Sequence, residues 1–93
     1  MKKLNELLGP SKYLIVLDLF LQNSEEFMNL REIARRIQKN PASVMKVLPS
    51  LVNRNYISRT KIGAKVVAYR LNKDNKKVKL LLELLQKLEE EEH

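Results

Sequence analysis

The stretch LREIARRI-QKN-PASVMKVLPSLVN, residues 30–53, decides the fold. Its first eight residues place Leu30, Ile33, Ala34 and Ile37 on one face of a helix and leave Arg31, Glu32, Arg35 and Arg36 outside. Asn29, with Glu32 three residues on, is a capping-box variant: a side-chain acceptor for the first free N–H groups and a carboxylate reaching back. After Gln38-Lys39-Asn40 the pattern restarts with Asn40 as N-cap and Pro41 at the first helical position, where a missing N–H costs nothing. The spacing predicts a helix over 41–53 with Val44, Val47, Leu48, Leu51 and Val52 inward, closed by Asn55 in the left-handed conformation. Pro49 lies inside it, removes a hydrogen bond to the Met45 carbonyl and disfavours helical geometry at Leu48, so a kink or an early end is expected. Two helices joined by about three residues read as a helix-turn-helix.

Upstream, Tyr13, Leu14, Val16, Leu17, Phe20 and Leu21 keep helical spacing, with Ile15 and Leu19 widening the apolar surface, so 11–22 reads as a buried helix. Phe27-Met28 reads as a short extended piece. Residues 1–8, with Leu4, Leu7 and Leu8 at helical spacing, form a lead-in arm ended by Gly9-Pro10-Ser11. Downstream, 56–61 and 66–71 alternate around an Ile62–Lys65 turn and predict a β-hairpin. Asp74 is a candidate cap for a last helix over 75–90, whose leucines spread past one face. The fold class expected is mainly α with a small β-hairpin, in the order helix, short strand, helix, helix, hairpin, helix. The organisation expected is one domain, 1–93: an arm over 1–10, a core over 11–72 and a C-terminal helix over 73–93.

Charge is divided along the chain. The 93 residues carry 18 Lys/Arg against 11 Asp/Glu, net +7. Residues 31–79 hold fourteen Lys/Arg against only Glu32 and Asp74, whereas 1–30 and 80–93 are both net acidic. A one-signed middle between acidic ends collects polyanions, chiefly nucleic acid, by neutralising phosphates and releasing their counterions.

The stretch LREIARRI, the N-P-A-S-V start of the next helix, Leu48-x-x-Leu51, the N-Y-I close and YRLN at 69–72 resemble archaeal winged helix-turn-helix transcription regulators of the broad MarR/ArsR type. The resemblance covers roughly residues 9–80. It implies a recognition helix, 41–53, in the major groove of double-stranded DNA, and a wing, 61–66, on adjacent backbone or minor groove. With Val44, Leu48 and Leu51 inward, the outward side chains are Ala42, Ser43, Met45, Lys46 and Pro49, with Asn40 and Ser50 alongside; Lys46 is the best base or phosphate contact. Arg31, Arg35 and Arg36, with Arg59, Lys61 and Lys65 of the wing, are the expected backbone contacts. The outward face lacks Arg, Gln or Asn before Asn53, so either low sequence specificity or readout through DNA shape is expected. The over-wide leucine stripe points to a homodimer through Val78, Leu81, Leu85 and Leu88, joined by Leu4, Leu7 and Leu8.

Other classes are closed by absence. With no Cys, a single His at position 93 and 2 Gly, the chain offers no thiol chemistry, no metal ligand set and no glycine-rich phosphate loop, so neither an enzyme nor a cofactor is expected. No apolar run approaches the roughly 18 residues of a membrane span, and no signal sequence opens the chain, so a cytoplasmic protein without a membrane partner is expected. The alternative function is a protein–protein interaction module on the same scaffold, using the apolar Met45/Pro49 face. The sequence leaves the identity of any small-molecule effector unknown.

Overall fold

The computed structural model describes residues 11–91. The lead-in arm, with Leu4, Leu7 and Leu8, lies outside the described residues. Helix α1, Lys12–Gln22, starts at Ser11, whose side chain accepts from the Leu14 N–H at 3.4 Å. It ends at Asn23, whose side-chain amide donates to the Leu19 carbonyl at 2.8 Å. Val16, Leu17, Phe20 and Leu21 are buried, which makes α1 the axis of the core. Asp18 is buried as well, and accepts from the Gln22 amide at 3.5 Å.

Met28 exchanges both backbone hydrogen bonds with Tyr69, at 2.9 and 2.8 Å, and so lies along the second edge of the hairpin, as the extended piece expected there. Asn29 then caps α2, Leu30–Ile37, by accepting from the Glu32 N–H at 2.8 Å. The Glu32 carboxylate does not complete the expected capping box; it turns instead to Arg35 and Arg36. Helix α2 ends on Gln38 in the left-handed conformation (φ 57°), and the Lys39 N–H returns to the Ala34 carbonyl at 3.0 Å.

The expected 41–53 helix is two helices. Asn40 caps α3, Pro41–Met45, by accepting from the Ser43 N–H at 2.8 Å. The chain then tightens through Lys46 and Val47, where the Val47 N–H reaches back three residues to Val44 at 2.9 Å, and restarts as α4, Leu48–Asn53. Pro49 stands in the first turn of α4, the one place in a helix where its missing N–H is not needed. The close of α4 is a double return: Asn55 (φ 62°) donates to Val52 at 2.9 Å and Tyr56 to Leu51 at 3.0 Å.

Strands β1, Ile57–Ile62, and β2, Val66–Leu71, pair antiparallel in the register Ile57↔Leu71 to Ile62↔Val66, turning at Gly63 (φ 71°). Ile57, Tyr69 and Leu71 are buried at the base, and the far end stands in solvent. Helix α5, Lys76–Glu91, is capped by Asn75, not by Asp74: the Asn75 side chain accepts from the N–H groups of Lys77 and Val78 at 2.8 and 3.1 Å. The Asn75 amide also donates to the Asn55 carbonyl at 3.1 Å, and the Asn72 amide does so at 2.9 Å, which ties the start of α5 to the end of α4.

The leucine stripe of α5 divides differently from the expectation. Val78 and Leu85 are buried in the chain's own core, and Leu81 and Leu88 pack partly against it. Val78 and Leu85 therefore cannot serve as a dimer surface, because the stripe they belong to covers α1. The outward apolar residues of α5 are Leu80, 64% exposed, and Leu84.

Candidate nucleic-acid interface

Helix α3 presents Ala42, Met45 and Lys46 to solvent, with Asn40 exposed at its cap and Ser43 half-buried; Val44 beside them is buried and anchors the helix. Ser43 is held through its backbone by the Asn40 cap. Ser50, grouped with these residues in the sequence reading, is separated from them by the restart at Val47–Leu48. It lines a groove of about 520 Å³ with Tyr13, Leu14 and Leu17 of α1, Arg54, Tyr56 and Leu81, and so faces the interior side of α4. In that groove burial pushes the Tyr13 hydroxyl above its ordinary pKa, against the opposing effect of the Arg54 charge.

The α2 arginines are not equivalent. Arg36 pairs with Glu26 and, through Nε at 2.5 Å, with Glu32; Arg35 pairs with the same Glu32 oxygen at 2.5 Å. Hydrogen bonds from Arg35 first and Arg36 second hold the Glu32 carboxyl at about 2, far below the ordinary carboxylate range, and the Arg36 hydrogen bond lowers Glu26. Glu26 and Glu32 thus offset much of the charge of Arg35 and Arg36, two of the expected backbone contacts, through an internal network, while the Arg35 side chain stays 72% exposed. Lys73 is paired in the same manner with Glu25.

Seven cations remain without a carboxylate partner among the described residues on α2, the turn, α3 and the hairpin: Arg31, Lys39, Lys46, Arg59, Lys61, Lys65 and Arg70, all exposed; Arg70 lies over the Phe27 ring, 4.5 Å from its centroid, near the base of the hairpin, which leaves six free of both kinds of partner. Lys39 was not singled out from the sequence. The available signal was its place in the turn before the second helix, where the left-handed Gln38 fixes its position. The far end of the hairpin holds another unanticipated feature: Ile62 and Val66 are each 48% exposed and face one another across the strands. Among the described residues no cluster of His, Asp or Glu could hold a metal ion, and no helix is long and apolar enough to cross a membrane.

No family model and no curated protein matches the chain. Solved structures do. Over 96% of this chain and 64% of the other, it superposes on MepR, a transcription regulator of the Staphylococcus aureus multidrug efflux pump MepA, with a TM-score of 0.69 and 17% identity. It is similar over 95% of its length to 76% of the homodimeric winged helix-turn-helix DNA-binding domain of Mb0332 from Mycobacterium bovis, a possible ArsR-family transcriptional regulator (TM-score 0.65, 22% identity). The fold is a winged helix-turn-helix. A third likeness, to the ferric uptake regulator of Francisella tularensis, covers 71% of this chain with a TM-score of 0.65 and 21% identity. The chain spans about half the length of that regulator (54%) and 64% of MepR. In the winged-helix frame α2 and α3 are the helix-turn-helix pair, the β1–β2 hairpin is the wing, and Met28 supplies the short strand on the other edge of the sheet.

Proposed function

We propose that this protein is a DNA-binding transcription regulator of the MarR/ArsR type its residues resemble. It binds duplex DNA with the exposed side of α3 in the major groove and the wing on adjoining backbone or minor groove. The observation that carries this reading is the set of unpaired, exposed cations on the helix-turn-helix and the wing, the elements that a winged helix turns toward a duplex. Lys46 is the principal charged group at the end of α3, and Arg31, Lys39, Arg59, Lys61 and Lys65 hold phosphates on either side. Ala42, Met45 and the half-buried Ser43 carry little capacity for bidentate base contacts, so the site favours shape over direct readout.

The active unit is a homodimer in this reading. The second copy covers Leu80 and Leu84, because these leucines are outward while Val78 and Leu85 are committed to the protomer. The homodimeric state of the Mb0332 domain supports it.

The test is a fluorescence-anisotropy titration of mixed-sequence duplex DNA at two salt concentrations. Affinity that falls steeply with salt supports the reading, since only phosphate neutralisation releases counterions. Salt-independent or undetectable binding favours the interaction module, for which the half-exposed Met45 beside Pro49 is the natural contact.

A further inference from the structure

The end of the wing has an unusual composition for a hairpin in water. Ile62 and Val66 are the last pair of the ladder before the three-residue turn, and neither belongs to the core nor packs against it. As directly opposed partners of an antiparallel pair they project from one face of the ribbon, side by side. Lys61 and Arg59 alternate to the opposite face, and Lys65 sits in the turn itself. The left-handed Gly63 (φ 71°) makes that turn tight enough to keep the pair at the extreme end of the molecule. The result is an apolar point with cations on its flanks.

That distribution has a counterpart in a duplex, where apolar base faces lie between two rows of phosphates. We propose that the wing is a wedge: the Ile62–Val66 pair enters the minor groove, partly unstacks a base step and bends the DNA, while Lys61 and Lys65 hold the phosphates on the two sides. The proposal rests on the duplex-DNA reading above. Its geometry follows from widths. Opposed Cα atoms in a ribbon are about 4.5–5.5 Å apart before any side chain is added, and the B-form minor groove is only about 6 Å wide. The ribbon fits only where the groove has opened, and an opened minor groove with an inserted apolar side chain is a kinked duplex bent toward the major groove. Steps that unstack easily, TA and CA, are therefore favoured over a stiff A-tract.

The test uses the full chain and two duplexes of about 30 base pairs, the length over which such bends are resolved, one with central TA steps and one with a central A-tract. Each carries donor and acceptor dyes at its ends, and bending is read as increased energy transfer on saturation. The variant is Ile62→Thr with Val66→Thr, which keeps both positions β-branched, and its melting curve confirms folding. Expected is bending of the TA duplex by the parent. The variant should lose that bend, lose roughly tenfold in affinity for the TA duplex as two apolar groups go unburied, and keep the parent's salt slope. Binding by the parent without bending, or undiminished bending by the variant, overturns the wedge and leaves DNA binding standing. If the parent binds neither duplex at low salt, the DNA reading fails and the wedge fails with it.

Discussion

Removing the two lysines at the tip of the wing, Lys61→Ala with Lys65→Ala, tests the proposed interface in numbers. Both side chains are exposed and neither has a carboxylate partner among the described residues, so each is free to neutralise one phosphate. Each phosphate neutralised on B-form DNA contributes about 0.9 to the slope of log affinity against log salt. The six proposed contacts of each bound protomer then contribute about −5 to the slope, and loss of two brings each protomer's contribution to between about −3 and −4. Between 50 and 200 mM salt, a fourfold change, the parent's advantage over the variant shrinks by roughly tenfold for each protomer bound. The assay is anisotropy on one mixed-sequence duplex at four or more salt concentrations, with Lys76→Ala plus Lys77→Ala as the control. These two lysines line a separate depression with Arg54, Tyr56 and Asn75 at the start of α5. Their removal takes away the same charge without touching the wing, and should leave the slope unchanged. A wing variant whose slope and affinity equal the parent's removes the wing from the interface, and a control with an equal slope change shows that only the general field of the protein is felt.

Other outcomes separate packing from binding. Leu51→Ala, at a site with no exposure, should cost about 2–5 kcal/mol as a cavity-forming change, whereas Lys46→Ala should keep the melting temperature and weaken DNA binding; a Lys46→Ala protein that binds like the parent moves the contact elsewhere. Leu80→Ser with Leu84→Ser should turn a dimer into a folded monomer in sedimentation, whereas a parent already monomeric at micromolar concentration removes the α5 outer face as an interface. Glu32 is held at about 2 in the folded chain against an ordinary 4.5, so its contribution to stability is present above the ordinary value and is lost as pH falls toward 2. Glu32→Gln should accordingly flatten the acid limb of the stability profile between pH 5 and 2, and steepen the salt slope by releasing Arg35; an unaltered acid limb would show that the pairing is not held in solution.

The parts of the fold legible in the sequence are those governed by neighbours in the chain. Asn29, Asn40 and Asn55 announce helix ends through contacts spanning three residues, and the hairpin follows from alternation at 57–62 and 66–71. Pro49 announced an interruption, but not that it would open a second helix and carry Ser50 round to the α1 side. Arg36 was legible as an outward arginine, whereas its partner Glu26 lies ten residues away across a connector whose course depends on the Met28–Tyr69 bridge. The α5 stripe is legible as a face, and the structure turns its Val78 and Leu85 to the chain's own core. Periodicity shows that Val78, Leu81, Leu85 and Leu88 share a side, but says nothing of whether that side meets α1 of the same chain or another molecule. Asn75 displaced Asp74 as the cap because its amide is simultaneously bound to the carbonyl of Asn55, a long-range constraint no local pattern contains.

If the protein binds duplex DNA as proposed, the restart of the chain at Leu48 limits how much genetic text it can read. Helix α3 has five residues, about 7.5 Å at 1.5 Å per residue, while B-form DNA advances about 3.4 Å per base pair. One protomer thus lays its probe along about two base pairs, and a pair of protomers along about four, a word that recurs by chance about once in 256 positions. A genome holds such words in the thousands. In the proposed reading, occupancy on a chromosome follows the distance and phase between the two half-words, and the ease with which the intervening duplex deforms, more than the letters themselves.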